Sequence, residues 1–201
     1  MLKIYLARHG QDQDNAEGVL NGRRDNPLTD IGIKQANVLA EKIGEKNIKF
    51  DAIYSSPLKR TLKTAEIVRD GLGMEEVVIL EDLVEREFGI MTGKMVSDIE
   101  EMCAPDVLKT EKILYFLNPK GAETFDDLMV RSGKLLSDIK ERHKDGAVLL
   151  VTHGDIGMMI YATYYNLGWR EVLKMFYFDN SDLLILTEES APEEVHAIRM
   201  E

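Results

Sequence analysis

The run Leu2-Lys3-Ile4-Tyr5-Leu6-Ala7 is short and rich in aliphatic side chains, the pattern of a buried β-strand, and it ends in Arg8-His9-Gly10. A histidine at the C-terminal end of such a strand sits where open α/β sheets place their ligand crevices. Arg8 argues against a metal there, because a fixed cation repels a divalent one. It argues for an anion, since a planar guanidinium grips phosphate oxygens with two hydrogen bonds. Gly10 lets the backbone turn sharply and come close to a ligand. The tripeptide by itself fits a capping histidine in a surface turn equally well, so its meaning rests on the rest of the chain.

Downstream, residues 11–28 are polar and turn-rich, with Asn21-Gly22 and Asn26-Pro27 as punctuation. A long loop directly after a motif strand is more often functional than idle. Thr29 is a good N-cap for a helix whose buried face is Ala36, Leu39, Ala40 and Ile43, ending near Gly44. Phe50 to Tyr54 reads as a second strand. Ser56 and Pro57 read as the cap and first residue of a helix with Leu58, Leu62, Ala65 and Leu72 inward and Arg60 in its first turn. Val77 to Leu80 is a further strand, and Glu85 follows in a loop. Residues 94–120 read as short helices and loops. A helix from Thr124 buries Phe125, Leu128, Met129, Leu135, Leu136 and Ile139. Ala147 to Val151 is the clearest buried strand and ends in Thr152-His153-Gly154. Ile156, Met159, Ile160, Thr163 and Leu167 then mark a helix, Phe176 to Phe178 and Leu183 to Leu186 read as strands, and Val195 to Ile198 as an edge strand.

Strands alternating with amphipathic helices predict an α/β fold, a three-layer sandwich with a mainly parallel central sheet flanked by helices. His9, the Arg60 turn and His153 each follow a predicted strand, so neighbouring parallel strands bring them to one rim. The expected organisation is a single domain over 1–201 with a short helical insertion at about 94–120.

Composition limits the partners. Hydrophobic residues are 44% and charged residues 30%, ordinary for a globular protein, with a formal net charge of −11. That balance argues against nucleic acid or an anionic membrane. An anionic substrate must therefore be drawn in by a local basic pocket. Cys103 is the single cysteine, which excludes an intrachain disulfide and a thiolate metal cluster. Arg8 interrupts the first apolar run after six residues, so no signal-peptide apolar region is read, and no apolar stretch approaches membrane-spanning length. A cytoplasmic location is expected.

Two histidines and two arginines on one rim suit phosphoryl transfer. A neutral imidazole is a competent nucleophile at pH 7. Arg8, Arg60 and a protonated His153 would neutralise charge on the equatorial oxygens of the transition state. Glu85, among apolar residues that raise its pKa, is the candidate to protonate the leaving alkoxide and then take a proton from water. Glu87 is its nearest rival, two residues on.

Arg8-His9-Gly10 with Asn15 resembles the signature of the histidine phosphatase superfamily, also called phosphoglycerate-mutase-like. The resemblance runs on through Asn21-Gly22-Arg23, Pro27 to Gly32, Gln35-Ala36, Ser55 to Thr61 with Thr64-Ala65, Glu85 four before Gly89, Gly121 to Thr124, and Val151 to Gly154. It implies that His9 becomes the phosphohistidine. By the same resemblance Arg8, Arg60, His153 and Asn15 hold the phosphoryl group, Glu85 is the proton donor and acceptor, and Asn21 and Gly22 touch the rest of the substrate. Gly154 is counted with the substrate-binding residues. No metal or organic cofactor is implied. Asp12 stands where the family usually has a hydroxyl residue, and with Asp14 it is expected to put negative charge at the pocket mouth, against highly anionic substrates.

Several other motifs are set aside. Asp12 and Asp14 do not end the strand directly, as a haloacid-dehalogenase phosphatase requires. Gly89 to Lys94 is one residue short for a phosphate-binding loop, and Cys103 lacks an arginine six residues on. His153 with Asp155 beside arginines is a poor metal site. His143 and His196 are expected at the surface, and Trp169 in packing. The leading reading is a phosphomonoesterase acting on a small phosphorylated metabolite. The alternative is a cofactor-dependent phosphoglycerate mutase, and an inactive binding module with the same fold comes third. Mutases of this family usually carry a longer insertion with paired arginines, whereas residues 94–120 contain only Lys94, Lys109, Lys112 and Lys120 as cations. The particular substrate and the oligomeric state are left open.

Overall fold

The computed structural model describes residues 1–189, 191–192 and 197–198. In order, it contains β1 (Leu2–Arg8), α1 (Gln13–Glu17), α2 (Asp30–Glu45), β2 (Ala52–Ser55), α3 (Lys59–Leu72) and β3 (Val78–Ile79). Then come α4 (Ile99–Cys103), β4 (Val107–Lys109), β5 (Leu114–Phe116), α5 (Phe125–Arg142), β6 (Gly146–Thr152), α6 (Gly154–Tyr164), α7 (Trp169–Met175), β7 (Leu183–Leu186) and β8 (Ala197–Ile198). The main sheet has the order β3-β2-β6-β1-β7-β8. Its first four strands are mutually parallel and β7 is antiparallel to both neighbours. This is the three-layer α/β sandwich that the alternating pattern predicts.

Side chains alternate across a strand, so one strand feeds two cores. Ala7, Ile53, Leu149 and Val151 pack on one face against Leu39, Ile43, Ala65 and Val68 of α2 and α3. Ile4, Leu6, Val148 and Leu150 pack on the other against Leu128, Leu135, Ile139, Ile156 and Met159 of α5 and α6. Burial on both faces is why β6 reads as an unbroken apolar run. Both long helices start where the cap residues place them: the Thr29 hydroxyl accepts the Gly32 N–H at 3.1 Å, and the Thr124 hydroxyl accepts the Asp127 N–H at 3.1 Å.

Other segments differ from the sequence reading. The loop after β1 contains α1, capped by Asp12. Helix α3 starts at Lys59 rather than at Pro57, and its buried face is Thr61, Thr64, Ala65 and Val68, with Leu62 and Leu72 half-buried. Threonines replace leucines there because the helix packs under the polar β1 loop. The 94–120 segment is helical only over Val96–Cys103; the rest carries the β4–β5 hairpin, which buries Phe116 with Phe88, Met91, Ile99 and Cys103 in a small third core. Phe176 to Phe178 is not a strand. Trp169 opens a helix, stacked on Phe125 at 4.9 Å. His143 is half-buried, bonded to the Tyr54 hydroxyl at 2.8 Å. Of the expected last strand, Ala197 and Ile198 pair with β7, while Val195 and His196 lie outside the described residues.

Gly10 serves packing rather than ligand approach. A Cβ on it would collide with the Gly32 carbonyl, and a Cβ on Gly32 would collide with the Gln11 carbonyl. The end of β1 and the start of α2 therefore touch backbone to backbone. Gly32→Ala is expected to lower stability by about 1–3 kcal/mol or more, because rigid main chain must move. Urea denaturation measures it, and an unchanged midpoint would contradict the contact.

Candidate active site

Parallel pairing positions the two histidines. Arg8 of β1 lies opposite Thr152 of β6, so His9 and His153 are the next residues of adjacent strands, whose spacing is about 4.8 Å. Their ring centroids are 5.1 Å apart. Ser55 of β2 lies opposite Val151, which brings Ser56 to the same edge. The Ser56 hydroxyl meets His153 Nε2 at 2.9 Å rather than opening α3 as its cap.

Arg60, on the first turn of α3, is completely buried between the rings. Its Nε–H points at His9 Nε2 and His153 Nδ1, both at 3.2 Å, and lies 3.3 Å from an Asp12 carboxylate oxygen. Its Nη1 donates to the Arg24 carbonyl at 2.6 Å and its Nη2 to the Gly22 carbonyl at 2.7 Å. This network assigns the tautomers. His9 carries its proton on Nδ1, which donates to the Gly10 carbonyl at 2.7 Å, leaving a lone pair on Nε2. His153 carries its proton on Nε2, toward Ser56. Burial first, then the Arg60 charge, holds both imidazoles well below the ordinary histidine range. Beside a buried guanidinium the neutral His153 ring is favoured, against the expectation of a protonated one.

Asp12 and Asp14 are also not where the sequence placed them. They are 0% and 2% exposed. Asp12 caps α1, accepts the Asn21 amide at 2.7 Å and faces Arg60; Asp14 pairs with Arg24 at 2.9 Å. Asp12 balances the buried Arg60 and Asp14 the exposed Arg24, so both carboxylates are engaged instead of guarding the mouth.

A cavity of about 520 Å³ opens beside this cluster, walled by Arg8, Asn15, Asn21, Glu85 and aromatic and aliphatic side chains. His9, Arg60 and His153 lie behind that wall, each at most 2% exposed. Gly22 and Gly154 do not line it. Gly22 contributes its carbonyl to Arg60, and Gly154 opens α6 against Arg8 and Glu85. Arg8 donates from Nη1 to the Phe178 carbonyl at 2.7 Å and the Tyr177 hydroxyl at 3.0 Å, while its buried Nε has no partner. An unpaired buried guanidinium N–H is costly, and an anion in the cavity would satisfy it.

Glu85 is buried at the N-terminus of α6. One carboxyl oxygen accepts the Arg86 and Ile156 N–H groups at 2.8 and 3.2 Å, the other the Asp155 N–H at 3.3 Å. Those bonds favour the anion, but burial first and the Asp155 charge second outweigh them and raise its pKa. Glu87 is directed elsewhere, toward Arg23 at 3.8 Å and the Gly89 N–H at 3.3 Å.

Three contributors were missed from the sequence. Asn180 donates to the His9 carbonyl at 3.0 Å and to Asn15 Oδ1 at 3.2 Å, fixing the loop after β1. Its signal was a polar Asp179 to Asp182 turn, which does not say what the turn touches. Arg131 grips Glu123 with two bonds of 2.9 and 2.8 Å and donates to the Val84 carbonyl at 2.7 Å, holding the Glu85 segment. Arg86, 1% exposed, pairs with Asp155 at 2.8 Å. Among the described residues no group of three His, Cys, Asp or Glu is placed to hold a metal ion, and Asp155 is engaged by Arg86. Nor is any described helix long and apolar enough to cross a membrane.

The neutral histidines make stability depend on pH. Their folded pKa values lie below the ordinary 6.5, so as pH falls through 6.5 the unfolded chain binds protons that the folded chain refuses. Stability is full above that pH and is lost progressively as pH falls below it. Urea titrations between pH 7.5 and 5.5 are expected to show this decline, and His153→Gln to flatten it. Equal slopes in both proteins would remove His153 as a contributor.

The chain is similar to known proteins along most of its length. A family model described as the histidine phosphatase superfamily (branch 1) matches residues 4–199. A metal-independent phosphoserine phosphatase of Arabidopsis thaliana is 35% identical over 162 residues, covering 79% of this chain and 67% of that protein. A 2,3-bisphosphoglycerate-dependent phosphoglycerate mutase of a Methylobacterium strain is 30% identical over 156 residues, covering 76% and 75%. The solved structure of a phosphoserine phosphatase from Entamoeba histolytica, in complex with 3-phosphoglyceric acid, has a TM-score of 0.74 at 26% identity, covering 92% of this chain and 90% of that one. With nearly its whole length matched, the chain belongs to the histidine phosphatase superfamily.

Proposed function

We propose that the protein is a phosphomonoester hydrolase that acts on a small phosphorylated metabolite through a phosphohistidine at His9. The observation that carries the reading is the His9 ring: neutral, proton fixed on Nδ1, with the Nε2 lone pair set against the Arg60 guanidinium. The unprotonated Nε2 needs no separate base, and its lone pair is freed to attack phosphorus when the Arg60 N–H turns to a phosphoryl oxygen. Arg8, with its unpartnered Nε–H, Arg60, His153 and Asn15 hold the phosphoryl oxygens. Asn21, Gly22 and Gly154 shape the adjoining substrate site. As Nε2 bonds to phosphorus, the ester P–O bond breaks and the Glu85 carboxyl proton passes to the departing oxygen. Water then attacks the phosphohistidine, giving its proton to the Glu85 carboxylate, and the P–N bond breaks to release inorganic phosphate. The raised Glu85 pKa keeps a proton available for the first step. We place the reaction in the cytoplasm, in keeping with a single, buried free cysteine.

The similarity to a mutase keeps phosphoglycerate mutation as the second reading. A mutase must hold a carboxylate and a second phosphate as well. Of the four lysines in residues 94–120, only Lys112 reaches the cavity wall, and Arg86 is committed to Asp155 and main-chain carbonyls. That supports hydrolysis. Phosphoserine and 3-phosphoglycerate, named with the relatives, are the first substrates to assay.

His9→Ala is expected to abolish turnover and the acid-labile phosphoenzyme seen on quenching with labelled substrate; retained wild-type turnover would refute the nucleophile. Glu85→Gln is expected to slow phosphoenzyme formation from alkyl esters about 10²–10⁴-fold and from nitrophenyl phosphate far less, since nitrophenolate departs without a proton. Single-turnover measurement is needed, because dephosphorylation slows too. Equal loss on both esters would take the acid role from Glu85.

A further inference from the structure

The cavity that runs outward from Arg8, Asn15 and Glu85 is larger than a three-carbon acid requires, and its outer wall is largely apolar. At about 520 Å³ it is in the range that holds drug-sized ligands, about 300–1,000 Å³. Leu20, Val96, Ile99, Ile113, Phe88 and Phe116 line it. The apolar surface continues outward. Val96 is 49% exposed at the cavity, and the neighbouring Met95, paired with Val19 of the wall, is 42% exposed. These residues come from the β4–β5 hairpin, the Val96–Cys103 segment and the loops facing them.

The charges on the same wall do not suit a second anion. Arg86 lies against the Phe116 and Phe125 rings, 4.2 and 4.4 Å from their centroids, and donates to Asp155, to the Phe116 carbonyl and to the Leu117 carbonyl. It has no bidentate face to offer. Lys112, on the hairpin turn, is exposed and 5.8 Å from the Tyr177 ring centroid. One exposed ammonium pairing with a carboxylate is worth at most about fivefold in affinity. Asp155 and Asp179 stand on the same wall and oppose it. By contrast, burying about 100 Å² of apolar surface is worth roughly 60-fold.

We infer that the preferred substrate is a phosphomonoester whose alcohol moiety is bulky and apolar, seated against the 94–116 segment, rather than a compact alcohol bearing a second charge. The inference rests on the hydrolase reading and names its substrate class. Leaving-group chemistry opposes it, which sharpens the test. The charged substituents of serine make its hydroxyl the better leaving group, so an advantage for an unactivated alkyl ester must come from binding.

The test compares kcat/KM for 3-phenylpropyl phosphate, phosphoserine and 3-phosphoglycerate. The phenylpropyl ester is expected to lead by about tenfold or more. Val96→Asn, at a half-exposed position that the fold does not depend on, is expected to lower the phenylpropyl value about fivefold and the phosphoserine value by less. A wild-type preference for phosphoserine or 3-phosphoglycerate, or an equal effect of Val96→Asn on all three, overturns the inference. Calorimetric titration of the three esters onto His9→Ala ranks their binding without turnover. If no ester is hydrolysed, the hydrolase reading falls, and that ranking still decides which class the cavity takes.

Discussion

A guanidinium with no solvent exposure is tolerable inside a protein only when its charge is balanced and its donors are met, and Arg60 is that group here. Asp12 supplies the charge, and the Gly22 and Arg24 carbonyls take the two terminal nitrogens. With those bonds made, the Nε–H points between His9 and His153. That placement, with the Gly10 carbonyl and the Ser56 hydroxyl, sets the tautomers, and it adds to burial in keeping both rings neutral. Asn21 is held by the same aspartate, so the loop walling the cavity depends on Arg60 as well.

The acid side of the site is organised by other arginines. The Glu85 main-chain carbonyl accepts Arg23 at 3.1 Å, and Arg131 of α5 holds the residue before it. Glu123 joins these two arginines, and Arg131 with Arg23 keeps its carboxylate ionised although partial burial alone would raise its pKa. Arg86, packed among Phe88, Phe116 and Phe125, ties the hairpin carbonyls to Asp155 at the start of α6. The Glu85 carboxyl is thus fixed against the helix that follows His153, while burial and Asp155 keep its proton more tightly held than usual. Two arginine networks thus hold the proposed nucleophile and the proposed acid, and the Arg60 charge also reaches Glu85.

Substrate choice and chemistry occupy different parts of the fold. His9 and His153 stand at the ends of β1 and β6, and Arg60 on the helix that follows β2. Most of the apolar cavity wall comes from residues 94–116, a segment that shares a small core with Phe88 and Met91 and joins the main core through Tyr115. Such an arrangement allows the alcohol pocket to change without disturbing the phosphoryl site.

Much was legible in the chain alone, for a local reason. Strand and helix periodicity report burial, so β1, β6, α2 and α5 were read with small errors at their ends. Residues that terminate buried strands must lie at a sheet rim, so His9, Arg60 and His153 were found together. Tertiary structure alone decided what surrounds each polar group. Asp12 read as a charge at the mouth because its partner Arg60 is 48 positions away and no local pattern joins them. Ser56 read as a helix cap because its true partner, His153, is 97 positions on. Phe176 to Phe178 read as a strand from composition, but it joins no sheet, and its Phe178 carbonyl accepts from Arg8. The sequence by itself determined the sheet, the two main helix layers and the reacting residue types. The protonation of His153, the neutralised acids and the apolar cavity were decided only by folding, because dielectric and partner charge depend on segments that meet in space and not along the chain.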